Sequence, residues 1–551
     1  MRKLNRAWWV VLTLALIVVF LQGCRQNEGQ AASTAVSTVA LNPTAVNASI
    51  AVVPPSTPLP IPATSIPTAT STALPPSPTP TSQDTGQWQF PAGTFIHPLA
   101  LEIIGPHIYI LDSGRVQRLD QQTAAMPQVI LAPGDEVAGV RVIEPLDLAT
   151  DGQILLALDR AGDVYAFDPQ KESWSLRRYD RSAGETSSHY YLALAAQPGV
   201  TEQYYLLEGS YHFALNQRPD TPDFIWPLPE DHQIDITVNQ NDVYVLSQSP
   251  ISQTASLVHY RDGTRDNDFS LQVAFRRARQ VQAVGALVYV LDYGGRRLAA
   301  VDAGTGALYP TYLPTDGTSW SAFLVDEING RILLAGRDRL YFFGAPENQA
   351  VIQGTAPHSL PQLHDPQVLE SLRGLLMPIG GSDIAVRENQ MPGAPRHYRL
   401  GIHEGADFYW QSGTAVRAVA PGTVIRATID YKIPTQEIFA GWTAAVYALG
   451  YTSAEAHDFY RGMQVWIQHE DGLISRYVHL SAIDTMIQEG VTVQAGQIIG
   501  AVGNTGSPVS LVGPDTDAHL HFELWLNDHY LGQYLRPIET REWLAIILNE
   551  Q

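Results

Sequence analysis

The histidines near the end of the chain have a spacing that could bind a metal ion. The stretch "DAHLHFELW" places His519 and His521 one residue apart, and its apolar neighbours indicate a β-strand. Side chains at positions i and i+2 of a strand point to the same face, so both imidazoles would face one place. Imidazole is the commonest protein ligand for zinc. The alternative is a surface pair on a half-exposed strand.

Two further segments carry the other residue types that a catalytic zinc site needs. "YRLGIHEGADFYW" contains His403 and Asp407, and "ISRYVHLSAID" contains His479. Catalytic zinc takes three protein ligands from His, Asp or Glu and leaves a fourth position for water. His403, Asp407 and one histidine of the H-x-H pair supply such a set. The two remaining histidines could then move protons and stabilise an oxyanion beside the water.

The first of these segments is not the H-E-x-x-H helix motif of the thermolysin-type zinc peptidases. The residue after "HEGA" is an aspartate, and Gly405 disfavours a helix. Glu404 is therefore not predicted to act as the general base.

Taken in order, the motifs resemble the lysostaphin/LytM-type zinc endopeptidases, which cut peptides of bacterial peptidoglycan. That family has H-x-x-x-D, a later "Y-x-H-L" and a final H-x-H, and "GTAVRAVAPGTVIRA" and "VQAGQIIGAVGNTG" resemble its flanking hairpin and glycine-rich turn. The resemblance covers about residues 376 to 537. It implies an antiparallel β-sheet metallopeptidase domain with one Zn²⁺ per chain. The implied zinc ligands are His403, Asp407 and His521, with His519 as general base and His479 as the group that stabilises the transition state.

Two segments depart from the family pattern. Residues 507–518, "SPVSLVGPDTDA", form a longer and more acidic segment before the H-x-H pair than the family has. The substrate subsites of the family are therefore not carried over to this chain. Residues 430–462 interrupt two strands, and Thr452 and Glu455 in capping-box spacing predict a helix there. This insertion either forms one wall of the substrate cleft or packs on the sheet.

The start of the chain predicts export and a lipid anchor. "MRKLNRAWWVVLTLALIVVFLQGCRQ" has a charged start and then an apolar run that fits a signal peptide over residues 1–23. The only cysteine of the chain, Cys24, stands where the bacterial lipoprotein signal places its lipidated residue. A plain signal peptide is the alternative. Residues 24–87 are rich in Pro, Thr and Ser and predict a disordered tether.

A repeated pattern fills residues 88–346. Phrases such as "HIYILDSGRVQRLD" and "LVYVLDYGGRRLAAVD" return roughly six times, at intervals of about 40 to 50 residues. Short strands at that period predict a roughly six-bladed β-propeller of the YVTN/NHL type. A pair of β-sandwiches is the alternative. Asp112, Asp159 and Asp292 in its turns are interpreted as turn formers. A linker with a short helix, 347–375, leads to the peptidase-like domain, 376–551.

The composition limits the possible functions. The formal net charge of −21 argues against nucleic-acid binding, and a single cysteine excludes an internal disulfide. We therefore expect a mainly β, lipid-anchored zinc endopeptidase on the extracytoplasmic side of a bacterial membrane. Its partners would be peptidoglycan peptides, the membrane and a protein or glycan on the propeller. The alternatives are a non-enzymatic regulator of wall hydrolases and a protein whose main function is binding by the propeller.

Overall fold

β-Strands, nearly all of them paired antiparallel, are the predominant secondary structure of the computed structural model, so the prediction of a mainly β protein is confirmed. The structure describes residues 85–181, 190–201, 203–209, 212–216, 224–228, 231–249, 252, 254–313, 319–384 and 387–549. The predicted signal peptide, Cys24 and nearly all of the tether lie outside the described residues.

Six sheets of four or five strands follow one another along residues 85–351. The first contains Ala100–Ile104, His107–Asp112, Arg115–Asp120 and Gln128–Leu131, and the second contains Pro145–Thr150, Leu155–Asp159, Val164–Asp168 and Ser173–Arg178. The third contains Tyr191–Ala196, Tyr204–Glu208, His212–Asn216 and Phe224–Pro227. The fourth contains His232–Asn239, Asp242–Gln248, Thr254–Arg261, Thr264–Arg265 and Phe275–Arg276. The fifth contains Ala278–Val284, Leu287–Asp292, Arg297–Asp302 and Leu308–Tyr312. The sixth contains Trp320–Asp326, Arg331–Gly336, Arg339–Phe343, Thr85–Gln89 and Gln349–Val351.

Each of these sheets packs against the next through a shared apolar cluster. One cluster joins the first and second sheets, and similar clusters join the second to the third, the third to the fourth, the fourth to the fifth and the fifth to the sixth. A further cluster joins the sixth sheet to the first, with Leu101 and Leu333 among its buried members. The strand Thr85–Gln89 pairs antiparallel with Arg339–Phe343, so the start of this region is held in its last sheet.

The aspartates of the repeats bind the backbone of the segment that leads into each sheet. Asp112 Oδ1 accepts hydrogen bonds from the backbone N–H groups of Ile96 (3.1 Å) and His97 (2.7 Å). Asp159 and Asp292 make the equivalent bonds in the second and fifth sheets. These bonds join residues 15 or 16 positions apart, so they hold the entering segment against the sheet. Asp159 and Asp292 also accept bonds within their own turns, from the N–H groups of Ala161 (2.8 Å) and Gly295 (3.0 Å), as the sequence predicted for them.

The C-terminal part contains a seven-stranded sheet. Its strands are β1 (Ala406–Tyr409), β2 (Gly422–Ala427), β3 (Val465–Gln468), β4 (Ile474–Val478), β5 (Thr492–Val493), β6 (His519–Leu526) and β7 (His529–Tyr530). The order across the sheet is β1-β6-β4-β3-β2-β5, and β7 pairs with β6. A three-stranded sheet contains Ala415–Arg417, Ile498–Ala501 and Ala482–Ile483, and two-stranded pairs join Leu375–Leu376 to Leu548–Asn549 and Pro395–Arg396 to Gly401–Ile402. One apolar core lies within this region, and Leu363 and Leu369 of the preceding linker belong to it.

Four α-helices lie among the described residues: α1 (Pro366–Ser371), α2 (Gln436–Leu449), α3 (Ala454–Arg461) and α4 (Pro537–Ile547). The short helix predicted in the linker corresponds to α1. The insertion forms α2 and α3, whereas the sequence predicted one helix there. The predicted N-cap was wrong by one residue: Ser453 caps α3, because the Thr452 hydroxyl instead donates to the carbonyl of Arg399. None of the described helices has the length and hydropathy that a membrane crossing requires.

The insertion packs against the residues that precede the first metal-binding motif. Phe439 and Val446 of α2 and Tyr460 of α3 form an apolar cluster with Leu400. The Tyr447 hydroxyl donates to the carbonyl of His397 at 3.2 Å. The insertion therefore stabilises the segment that leads to His403.

A buried ion pair joins the second sheet to the C-terminal part. Arg160 Nε donates to Glu144 Oε1 at 2.6 Å, and both side chains are almost completely buried. Arg160 also donates to the carbonyl of Leu535 at 2.7 Å, while Tyr530 donates its hydroxyl to Glu144 Oε2 at 3.0 Å. Ala161 and Ile402 pack together beside this pair. The repeat region is thus in direct contact with the strands and loops that carry the candidate metal-binding residues.

Helix α4 makes a second polar contact with the sheets. The Glu539 carboxylate lies 2.8 Å from His97 Nε2 and 3.0 Å from Arg279 Nε, and all three side chains are buried. Glu542 of the same helix also pairs with Arg279. Burial of these charges is favourable only because they are paired with one another.

We predict that Arg160→Met lowers the free energy of unfolding by about 3 kcal/mol, because it leaves the Glu144 carboxylate buried without its cation. Arg118→Met is the matched control, because its partner Glu172 is 58% exposed and the loss should stay below about 1 kcal/mol. Urea unfolding followed by tryptophan fluorescence measures both variants. Equal stability losses in the two would contradict a structural role for the buried pair.

Candidate metal centre

Strand β6 brings the two ends of the predicted motif set together. Asp407 of β1 lies opposite His521 of β6 in the antiparallel ladder. On the other side of β6, His521 lies opposite Val478 of β4, the residue before His479. Because side chains alternate along a strand, His519 and His521 project from the same face of β6. The ladder therefore places residues that are more than 100 positions apart in one location.

Three side chains present hydrogen-bond acceptors to a common point. His403 Nε2 lies 2.8 Å from Asp407 Oδ1 and 2.8 Å from His521 Nδ1, and His521 Nδ1 lies 2.9 Å from Asp407 Oδ1. The three ligand atoms lie within 4.8 Å of one another, and all three residues are buried. Two imidazole nitrogens and one carboxylate oxygen are the donor set that zinc prefers.

Hydrogen bonds to the outer ring atoms fix the tautomers of both imidazoles. His403 Nδ1 lies 2.9 Å from the carbonyl oxygen of Met391, which can only accept, so this nitrogen carries the hydrogen. His521 Nε2 lies 3.0 Å from Glu523 Oε1 and donates to that carboxylate. In the neutral rings the lone pairs of His403 Nε2 and His521 Nδ1 then point at the carboxylate of Asp407. Three acceptors facing one another need a proton or a metal ion between them, and two imidazole nitrogens with one carboxylate oxygen fit a divalent metal ion.

The electrostatics of the cluster agree with a bound cation. Burial, and then the nearby Arg396 guanidinium, lower the pKa of His403 to about 3, which keeps its ring in the neutral form that binds metals. Burial alone would raise the pKa of Asp407, but the imidazoles of His403 and His519 hold it well below its usual range. Burial disfavours a charged His521, yet its bonds to Asp407 and Glu523 raise its pKa. The cluster thus favours positive charge at its centre.

Two more histidines border the three acceptors. The ring of His479 lies 5.0 Å from that of His519 and 5.6 Å from that of His521. His479 Nδ1 donates to the carbonyl of Thr505 and His519 Nδ1 donates to that of Asp517, each at 2.7 Å. Their Nε2 atoms therefore carry the lone pairs in the neutral rings. The Nε2 of His519 lies 3.9 Å from Asp407 Oδ1.

Two aromatic side chains lie at the end of β1, opposite the start of β6. The ring of Tyr409 stacks on that of His519 with centroids 4.8 Å apart, and Tyr409 and Trp410 are each more than 40% exposed. The Asn504 side chain donates to the carbonyls of Gly513 (2.7 Å) and Thr516 (2.8 Å), which fixes the long 507–518 segment. Exposed apolar rings beside the histidines offer a surface on which a substrate chain could lie.

The structure brings all five histidine and aspartate residues of the predicted site together. His469 lies apart from them, with its ring between the carbonyl of Pro421 and the hydroxyl of Ser475. Sequence reasoning missed Arg396, which donates to Asp407 Oδ2 at 3.1 Å, and Glu523, which binds His521. Glu523 could have been found, because residue 523 follows 519 and 521 in the same i+2 series on β6.

Comparisons with known proteins agree with this geometry. Residues 401–533 match the model of "Peptidase family M23". The glycyl-glycine endopeptidase ALE-1 of Staphylococcus capitis is 31% identical over 135 residues, which are 24% of this chain and 27% of that protein. Lysostaphin of Staphylococcus simulans is 30% identical over 128 residues, 23% of this chain and 19% of that protein. The peptidoglycan DD-endopeptidase ShyA of Vibrio cholerae serotype O1 is 45% identical over 126 residues, 23% of this chain and 21% of that protein.

This chain thus spans between 19% and 27% of the length of these three relatives. The likeness lies in the C-terminal part, which carries a Peptidase family M23 domain. The resemblance predicted from the three histidine motifs is confirmed for that domain.

Gly405, between the first two acceptor residues, permits their close approach to β6. A Cβ atom there would lie 2.4 Å from the carbonyl oxygen of Phe522 and 2.9 Å from the ring of His521. We predict that Gly405→Ala displaces β6, weakens Zn²⁺ binding and lowers stability by about 2 kcal/mol. Gly441→Ala in α2 is the control, since a Cβ there meets no atom within 4 Å. Calorimetric zinc titration and thermal unfolding test this, and a Gly405→Ala protein with wild-type values for both would refute it.

Proposed function

We propose that this protein is a zinc metalloendopeptidase that hydrolyses peptide bonds in the stem peptides or cross-bridges of peptidoglycan. The observation that carries the proposal is the convergence of His403 Nε2, Asp407 Oδ1 and His521 Nδ1, with two further imidazoles beside them. The three relatives named above are endopeptidases or lysostaphins, and one is named as acting on peptidoglycan. This supports the substrate class but leaves the bond that is cut open.

The three acceptors would hold the ion, and the other residues of the site would orient the substrate and move protons. Held by these residues, Zn²⁺ would supply Lewis acidity for the hydrolysis of a peptide bond. Asp407 contributes one negative charge, and Arg396 donates to its second oxygen and so fixes the carboxylate. The buried position of all three ligands excludes bulk water and strengthens these interactions.

We assign the general base to His519. Its Nε2 carries the lone pair and lies 3.9 Å from Asp407 Oδ1, so the carboxylate stabilises the ring once it has taken a proton from water. The same Nε2 then donates this proton to the nitrogen of the departing amine. We assign stabilisation of the oxyanion to His479. This role requires a proton at its Nε2, because its Nδ1 hydrogen is already bonded to Thr505. Burial and the nearby His519 hold the pKa of His479 well below its usual range, so the ring would take up this proton from solvent only as the negative charge of the oxyanion forms beside it.

The six sheets support the interpretation of residues 88–346 as a six-bladed β-propeller. An apolar cluster lies between every pair of successive sheets and between the sixth and the first. The early strand Thr85–Gln89 in the sixth sheet would then hold the ring closed. We propose that this propeller binds a protein or glycan of the envelope and so directs the peptidase domain to its substrate.

The proposed roles predict that substitutions of the three histidines have different effects on zinc content and on the rate of hydrolysis. His521→Ala should lose both zinc and activity, because only two ligands remain. His519→Ala and His479→Ala should keep zinc and lose roughly 100-fold or more in rate, the scale of a lost acid–base group. Elemental analysis and the release of fragments from purified peptidoglycan, identified by mass spectrometry, measure both effects. His469→Ala is the control.

The outcomes separate the competing functions. Zinc binding by wild type without any hydrolysis of peptidoglycan would support the non-enzymatic regulator instead. Loss of zinc from His519→Ala with retention by His521→Ala would reverse the two roles. Wild-type zinc content and rate in all three variants would mean that the site lies elsewhere.

We further propose that Cys24 is lipidated and anchors the protein on the extracytoplasmic side of a bacterial membrane. The support is its position after the apolar run and before the Pro- and Thr-rich segment. A flexible tether of about 60 residues would span roughly 45 Å on average, enough to separate the domains from the membrane.

Cys24→Ala should release the protein from the membrane fraction or block its processing, because the thiol that accepts the lipid is absent. Fractionation with immunoblotting, and the mass of the mature N-terminus, measure this. A Cys24→Ala protein that remains in the membrane fraction and is processed as before would refute the anchor.

A further inference from the structure

We propose that Arg461, the last residue of the inserted helix α3, is a positioning residue for the catalytic centre. Its side chain fixes the carboxylate of Glu523, which orients His521, and its backbone carbonyl accepts a hydrogen bond from the N–H of His479. The inference rests on the proposed function, since it concerns the same zinc centre. It assigns a role to the insertion at 430–462.

The first step is the contact between Glu523 and His521. Glu523 Oε1 lies 3.0 Å from His521 Nε2, and the Glu523 side chain is completely buried. A carboxylate that accepts the outer N–H of an imidazole fixes the tautomer and the ring orientation and makes the other nitrogen a stronger metal ligand. Here the other nitrogen is Nδ1, the atom that faces Asp407 and His403.

The second step is the bidentate contact from Arg461. Its Nε donates to Glu523 Oε1 at 2.8 Å and one terminal nitrogen donates to Glu523 Oε2 at 3.0 Å. The same terminal nitrogen lies 2.6 Å from Glu404 Oε2, on the residue after His403. Two parallel bonds define both the position and the plane of a carboxylate. Arg461 therefore connects residues adjacent to both histidine ligands.

The Arg461 guanidinium also shows whether the neighbouring acidic cluster is a second metal site. Glu404, His457 and Glu523 lie close enough together to hold a metal ion by geometry alone. Arg461 bridges the two carboxylates of that cluster, so a fixed side-chain cation already occupies it. The pKa of Glu523 is held well below its usual range: burial would raise it, but Arg461 and His521 lower it. We conclude that the cluster supports the zinc site and is not a second one.

A second arginine completes the environment of Glu523. Arg476 donates to Glu523 Oε2 at 3.2 Å and lies between the rings of Trp466 and Trp525, 3.9 and 4.0 Å from their centroids. Trp525 Nε1 also donates to Glu523 Oε2, at 2.5 Å. Both carboxylate oxygens are thus fully bonded, which leaves Glu523 one orientation.

The third step is the backbone contact with His479. The N–H of His479 donates to the carbonyl of Arg461 at 3.2 Å. His479 has a φ of 63°, in the left-handed region that non-glycine residues seldom adopt, so its backbone needs such support. Gly462 packs against Thr505, whose carbonyl accepts the bond from His479 Nδ1. One turn of the insertion therefore fixes both a metal ligand and a proposed catalytic histidine.

The test compares zinc affinity in Arg461→Met, Arg461→Lys and a matched control. Asp458→Asn serves as the control, because Asp458 lies on the same helix but pairs with Arg426 at 2.8 Å in a partly exposed position. The full-length protein is stripped of metal, and the Zn²⁺ dissociation constant is measured by competition with a chromogenic chelator. The values of kcat and KM for peptidoglycan hydrolysis are measured in parallel.

We expect Arg461→Met to weaken zinc binding about 10- to 100-fold and to lower kcat more than it raises KM. Arg461→Lys should recover part of the affinity, because it restores the charge without the bidentate geometry. Asp458→Asn should match wild type. Wild-type zinc affinity in folded Arg461→Met would overturn the inference.

Glu523→Gln provides a second variant if Arg461→Met does not fold, since it keeps the shape and removes the buried charge. We expect Glu523→Gln to weaken zinc binding about 10-fold, and the Arg461→Met/Glu523→Gln pair to lose less than the product of the single losses. Unchanged affinity in Glu523→Gln, or independent losses in the pair, would overturn the inference. A wild-type protein without zinc would refute the proposed function itself, whereas zinc in wild type with equal affinity in the variants refutes the inference alone.

Discussion

The hydrogen-bond ladder of strand β6 is the constraint on which the candidate metal centre depends. β6 lies between β1 and β4, and that position sets Asp407 opposite His521 on one side and places His479 just beyond the paired strand on the other. A shift of one residue in either register would turn the paired side chain to the opposite face of the sheet. The register is fixed by burial: Leu520, Phe522 and Leu524 alternate with the two histidines and enter the apolar core. Apolar packing on one face therefore determines the polar geometry on the other.

A single hydrogen bond from the outer ring nitrogen sets the tautomer of each imidazole in the site. His403, His479 and His519 each donate from Nδ1 to a backbone carbonyl, whereas His521 donates from Nε2 to a carboxylate. The difference explains why one histidine faces Asp407 with Nδ1 and another with Nε2. It also explains why neighbouring rings of the same residue type can have different chemical roles, since the tautomer is set by the outer partner.

Buried polar and apolar contacts join the C-terminal domain to the repeat region. The Arg160–Glu144 pair, the contacts of Glu539 on α4 and the packing of Ala161 on Ile402 join it to the repeat region. Arg141, which follows the first sheet, also lies over the ring of Tyr451 in the insertion at 4.5 Å. These contacts link the sheets to the two segments that support His403 and Glu523.

The sequence by itself determined the residue types of the site and the local elements that carry them. The i, i+2 spacing of His519 and His521 requires one face of a strand, and the H-x-x-x-D spacing and later "Y-x-H-L" identify the other residues. The short helix α1 and the six strand-turn-strand repeats also follow from local pattern, because capping, turn chemistry and alternation are properties of neighbouring residues. Only the tertiary structure decided the contacts of Arg461 with Glu523, of Arg396 with Asp407 and of Arg160 with Glu144. The partners are 11, 16 and 62 residues apart, beyond the reach of local pattern, and a charged side chain carries no local signal of which opposite charge the folded chain will bring into hydrogen-bond distance. The N-cap of α3 shows the same limit at short range, because a tertiary bond to Arg399 removed Thr452 from the cap that its sequence predicted.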